Sequence, residues 1–170
     1  LRAETVAGLF DPHDPFPIPS RDLSRSAEDF IVGWARELPH DEPLAVRLHL
    51  PKNEADSCDQ ANVAQAFANH FRARASQMAG DMADLFRVGR VSLLIGLAVL
   101  AACIVISQIL GPMVQDETLR RFFVEGVIIL GWVANWRPME IFLYDWWPIR
   151  RRKRLFERLA AAPFEIKPAA

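Results

Sequence analysis

A chain of 170 residues with 20 Lys and Arg against 21 Asp and Glu is nearly neutral, so no global charge directs it to nucleic acid. Half of its residues are hydrophobic (51 %), much of that bulk lies in two long runs, and the small remainder is too little for a large enzyme core. The two cysteines, Cys58 and Cys103, cannot build a disulfide framework and are expected as free thiols of a reducing compartment.

Charge is unevenly placed: acids crowd the first sixty residues, and cations crowd the RRRKR run at 150–154. The chain opens with Leu1 instead of Met, which leaves an upstream start and a removed targeting segment open. Residues 1–20 hold Pro12, Pro15, Pro17 and Pro19, a composition that blocks helix and regular sheet, so this arm is expected either to lie extended on another element or to be disordered.

Residues 21–86 read as a cytoplasmic α+β segment of helix, strand and long helix. Ser26 with Asp29 three positions on has the form of a capping box, which places a helix start near Ser24 or Ser26. Phe30, Ile31, Trp34 and Leu38 then share one face. Pro39 and the acidic turn of His40, Asp41, Glu42 and Pro43 end the helix. In LAVRLHL, Leu44, Val46, Leu48 and Leu50 alternate with Ala45, Arg47 and His49, the period of a strand with one buried face. Its unpaired backbone needs a neighbour: residues 5–10, residues 164–166, or a strand from another chain pairing through residues 44–50. Asn53 with Asp56 resembles a second helix start, and Val63, Phe67 and Phe71 at intervals of four give that helix an apolar stripe. It either runs unbroken toward residue 110 or breaks at Gly80.

Residues 91–115 contain no charged side chain and are long enough, as helix, to cross a hydrocarbon core of roughly 30 Å. The first transmembrane helix is set at 87–112, a short periplasmic loop at 113–120 and a second transmembrane helix at 121–147, where Pro138 is expected to kink the backbone. The expected fold is therefore a mainly α membrane protein, an antiparallel two-helix transmembrane hairpin whose small cytoplasmic α+β portion is formed by both termini. Arg87 and Arg90 precede the hairpin and Arg150, Arg151, Arg152, Lys153 and Arg154 follow it. The positive-inside rule then places both termini in the cytoplasm of a bacterial inner membrane. Tyr144, Trp146 and Trp147 suit an interfacial belt, and residues 148–170 suit a basic juxtamembrane helix and tail lying on anionic headgroups.

Small residues four apart, Ser92 with Gly96 and Ala98 with Ala102, and Gly126, Gly131 and Ala134 on the second run, allow close helix packing within the hairpin or against a partner. Asn135 requires a hydrogen-bond partner at that depth. Glu125, Arg137 and Glu140 suit an ion path, but Glu125 sits one turn from Arg121, and Arg137 and Glu140 are spaced to pair, so boundary anchoring is preferred. Neither run holds a histidine to ligate haem. His13, His40, His49 and His70 lack metal-site spacing, and Cys58 with His70 has nothing to bring the pair together, so no cofactor, metal or catalytic residue is expected. Phosphate-binding and nucleophile motifs are absent. RDL, EDFIVGWARELP, LHLP and FLYDWWP resemble stretches of small two-span bacterial inner-membrane proteins, a resemblance that implies no active residue.

These features point to a non-catalytic accessory, assembly or scaffold subunit of a larger inner-membrane complex, with membrane lipids and other membrane-protein subunits as partners and no nucleic acid. The alternatives are a membrane-anchored regulator or sensor with a ligand- or lipid-responsive cytoplasmic segment, and a small ion-conducting oligomer built on Glu125 and Asn135.

Overall fold

The computed structural model describes residues 1–39 and 42–169; the predicted turn residues His40 and Asp41 lie outside them. The protein is mostly helical, with one long apolar helix and a two-stranded sheet. It divides into two compact units, one of Leu1–Ala79 with Arg150–Ala170 and one of Gly80–Ile149.

In the first unit the proline-rich arm is ordered. Two 3-10 turns, Ala7–Leu9 and Ile18–Ser20, punctuate it, and Val6, Leu9 and Phe10 are buried in the core. Asp14 ties the loop between them. Its carboxylate accepts from the backbone N–H of Asp22 (2.8 Å) and of Phe16 (3.0 Å), while Arg21 donates to the Asp14 carbonyl. Those amides hold the Asp14 carboxyl below its ordinary 3.8.

Helix α1 (Arg25–Glu37) starts at Ser24, whose hydroxyl accepts from the Ala27 N–H. Of the four residues expected to share one face, only Ile31 is buried. Ile31, Val32 and Ala35 are buried, whereas Phe30, Trp34 and Leu38 are 52 %, 62 % and 44 % exposed. An apolar arc wider than the contact allows leaves its bulkier side outside.

Strand β1 (Val46–Leu50) pairs in parallel with β2 (Phe164–Pro168), joining Val46 to Phe164 and Leu48 to Ile166. This selects the second of the three expected partners. Among the described residues, residues 5–10 make no backbone hydrogen bond to β1. Instead residues 1–3 line its other edge, with the His49 N–H donating to the Leu1 carbonyl (2.8 Å) and the Ala3 N–H to the His49 carbonyl (3.1 Å).

The long helix begins later than Asn53. A short helix α2 (Lys52–Ser57) ends at Cys58, and Asp59 caps α3 (Gln60–Leu110), accepting from the Ala61 and Asn62 N–H groups and the Asn62 amide. α3 runs through Gly80 without a break, where a side chain would meet open space. Val63, Phe67 and Phe71 are buried as their spacing predicts, with Leu48, Leu50 and Leu159 around them. Each such side chain contributes roughly 1.5–3 kcal/mol by leaving water.

The basic run falls on helix α6 (Trp146–Ala160). Its Phe156 and Leu159 are buried in the core of the first unit, while Arg151, Arg152 and Arg154 are among its exposed residues, with Trp147, Arg150 and Glu157.

In the second unit α3 closes in a 3-10 turn, Gly111–Met113, and the chain returns as α4 (Glu117–Val133), capped by Asp116, which accepts from the Thr118 and Leu119 N–H groups. α4 ends at Ala134, and a short α5 (Trp136–Glu140) and a π-helical turn, Ile141–Asp145, precede α6. Pro138 explains the break: it has no N–H for the Ala134 carbonyl, and Asn135 leaves helical geometry at φ −91°, ψ 0°. Among the described residues one helical stretch, Gln60–Met113, is long and apolar enough to cross a membrane. The second run is not a single such helix, because α4 has 17 residues, a length of about 26 Å at 1.5 Å each.

Candidate functional site: a small-residue seam and an apolar groove

Along the second unit, α3 buries small residues at every second turn: Gly89, Gly96 and Cys103, followed by Ser107 and Gly111. The repeat is seven, the period of side-by-side helices, so these positions keep facing the returning chain. That chain presents Gly131, Asn135, Pro138 and Ile141, all buried. A Cβ on Gly96 would lie 2.6 Å from Asn135 Oδ1 and 3.1 Å from the Ala134 carbonyl oxygen, and one on Gly131 would lie 3.2 Å from Leu100 Cα. Backbone therefore touches backbone, which only residues without side chains permit.

Asn135 is the polar tie of this seam. Its amide Nδ2 donates to the Gly96 carbonyl (3.1 Å) and to the Gly131 carbonyl (3.0 Å), so the partner expected for it lies within the same chain. Of the other positions singled out from the sequence, Ser92 is half-buried, while Ala98 and Ala102 are exposed and Gly126 faces open space. The spacing of four identified Gly96. A spacing of seven from Gly96 was the signal for Gly89 and Cys103, which the spacing of four missed; Ser107 and Gly111 follow Cys103 at intervals of four.

Charged groups near the second run pair locally. Arg137 sits 3.2 Å from Glu140, the expected partner, and 3.1 Å from Asp145, and the Trp136 indole donates to Glu140. Arg121 pairs with Glu117; Glu125 is exposed and has no ion pair among the described residues. At the next helix, Trp146 donates from Nε1 to the Phe142 carbonyl (3.0 Å), and the exposed Trp147 meets its ring edge-on. Lys153 pairs with Glu157 (3.5 Å), while Arg150 is exposed on the same helix.

Among the described residues of the first unit, Cys58 and His70 lie on different elements. Cys58 precedes α3, and His70 lies within it, about 15 Å along the helix from Gln60. Burial pushes the Cys58 thiol up, away from the reactive thiolate. His70 is buried with Nδ1 2.9 Å from Asp22, where it also faces the Leu23 N–H, and Nε2 3.3 Å from Glu28, itself paired with Arg74. This cluster locks the arm, α1 and α3 together. His13 is exposed beside Asp11.

A groove of about 470 Å³ lies between α1 and β1, walled by Phe30, Trp34, Leu38, Leu44, Val46 and Leu159. The aromatic pair Phe30 and Trp34, 5.9 Å apart, forms one wall, and Arg2, Arg47 and His49 supply the polar lining. The stripe of Phe30, Trp34 and Leu38 was legible in the sequence; that it faces outward was not. No family model matches this chain, and no curated protein or solved structure matches it either.

Proposed function

We propose that the protein is a non-catalytic accessory, assembly or scaffold subunit of a larger bacterial inner-membrane complex. In this reading α3 supplies one span, α4 with α5 and the π turn supplies the other, and both termini lie in the cytoplasm. The broken returning leg gains its length from consecutive pieces, and the positive-inside asymmetry orients it. Exposed Arg151, Arg152 and Arg154 favour anionic headgroups, each contributing roughly 1 kcal/mol.

The observation that carries the subunit reading is the outer surface of α3. Ala98 and Ala102 lie exposed, about 200° and about 240° around the helix from the seam residue Gly96. In lipid, where apolar surface alone drives no association, small residues are where a second protein's helix approaches closely enough to gain packing.

Replacing Ala98 and Ala102 together with leucine tests this. The double variant is expected to lose copurifying subunits in mild detergent while its helix content stays unchanged. A parent chain that purifies as a single copy with no companion overturns the reading.

A further inference from the structure

We propose that the outward face of α4 around Glu125 is a docking site for a membrane-spanning helix of a partner subunit, one that carries an arginine or lysine near its outer end at the level of Gly111. The inference deepens the subunit reading and rests on it.

Glu125 is the one acid of the returning leg without a counterpart among the described residues. Asp116 caps α4, Glu117 pairs with Arg120 and Arg121, and Glu140 and Asp145 share Arg137. The cation nearest in sequence, Arg121, stands one turn before Glu125 and is engaged on its other side, 3.3 Å from Glu117.

Around Glu125 the helix surface is apolar. Phe122 and Ile129, three positions before it and four after, and Trp132, seven after, share its face and are exposed. Ile129 stands about 200° around the helix from Gly131, so this face is turned away from the seam. Its depth follows from the opposite side of α4: a Cβ on Gly111 would lie 3.1 Å from Val124 Cγ2, which sets Glu125 level with the end of α3. That is about 6 Å farther into the apolar stretch than Arg121. A carboxylate partly stripped of water is costly unmatched, and an opposite charge beside it is worth more than at an open surface.

Gly126, the next residue, has open space where a side chain would stand. A helix arriving on this face can bring its backbone close there, as helices in lipid do at small residues. Glu125 therefore selects the partner by charge, and Gly126 admits it.

The test uses the full chain, donor-labelled, in lipid nanodiscs, with acceptor-labelled polyleucine single-span peptides bearing one arginine, glutamine or glutamate a turn inside the outer end. The proposal expects saturable energy transfer with the arginine peptide and at least tenfold weaker binding of the glutamine peptide. Glu125→Gln should remove that preference, Glu125→Arg should reverse it toward the glutamate peptide, and Gly126→Leu should weaken binding of the arginine peptide. Both positions are exposed, so cross-linking between α3 and α4 should stay unchanged in all three variants. Any of three results overturns the proposal: equal binding of the three peptides, a preference that survives Glu125→Gln, or association between two copies of the chain that the arginine peptide does not displace. A chain that fails to enter the bilayer brings down the subunit reading as well, whereas a bilayer-inserted Glu125→Gln chain that keeps all its copurifying subunits removes this site and leaves that reading standing.

Discussion

The two units bury opposite kinds of residue. In the first, Phe10, Leu48, Leu50, Phe71 and Leu159 are inside, and charged side chains face out. In the second, glycines, Cys103, Ser107 and Asn135 are inside, while Leu94, Ile109, Phe122, Ile129 and Trp132 are each at least 60 % exposed. The first is the arrangement that water imposes, since burying large apolar groups is the main source of its stability. In the second, the helices meet where the backbones approach most closely, and the greasy side chains are left outside. Helices dissolved in a bilayer behave this way, because lipid is as apolar as leucine and only close packing and hydrogen bonding distinguish helix from solvent.

The contrast can be broken from either side. The largest effect is expected from Phe71→Ala in the first core, a fully buried ring whose loss should cost about 3–5 kcal/mol, read as a lower unfolding midpoint of the strand and α1 signals. In the second unit, adding volume should do the damage that removing it does in the first. Gly96→Val should cost about 1–3 kcal/mol by driving Asn135 and the Ala134 carbonyl apart, seen as loss of cross-linking between α3 and α4. Gly80→Ala, with open space around it, should instead stabilise α3 slightly, and a cost like that at Gly96 would contradict the seam. Removing a cap, Asp59→Ala or Asp116→Ala, should cost about 1 kcal/mol in either unit, because capping satisfies backbone donors regardless of what surrounds the helix body.

The smallest effect belongs to Asp14. Its carboxyl is held below 3.8 in the fold, so the stabilisation it gives the arm is present above that value and disappears as pH falls through the folded pKa. Amide exchange at Phe16 and Asp22 should accelerate on acidification below about pH 4, and Asp14→Asn should abolish that dependence. Unchanged exchange at low pH would mean the loop is held by other contacts.

Much of this was legible in the residues. Val63, Phe67 and Phe71 announced a buried stripe, Ser24 a helix start and Pro138 a break. Residues 164–166 were among the few segments able to pair with β1. Periodicity, however, reports which residues share a face, not which face finds a partner, so the outward position of Phe30 and Trp34 carried no signal. It also cannot rank spacings: Ala98 with Ala102 satisfies the four-residue pattern as well as Ser92 with Gly96 does, and only the returning chain decides between them. The pairing of residues 1–3 with His49 left no signal, since three residues are too few to carry a period.

The parallel ladder between β1 and β2 has a consequence for synthesis. Leu48 and Leu50 leave the ribosome more than a hundred residues ahead of the strand that covers their edge, and α6, which brings Phe156 and Leu159, is equally late. The water-facing core therefore closes only after the apolar runs have been made, a long-range contact of the kind that slows folding. Nascent chains stalled before residue 156 should expose this half-built core to chaperones, whereas α3 and α4 need no part of that strand to meet.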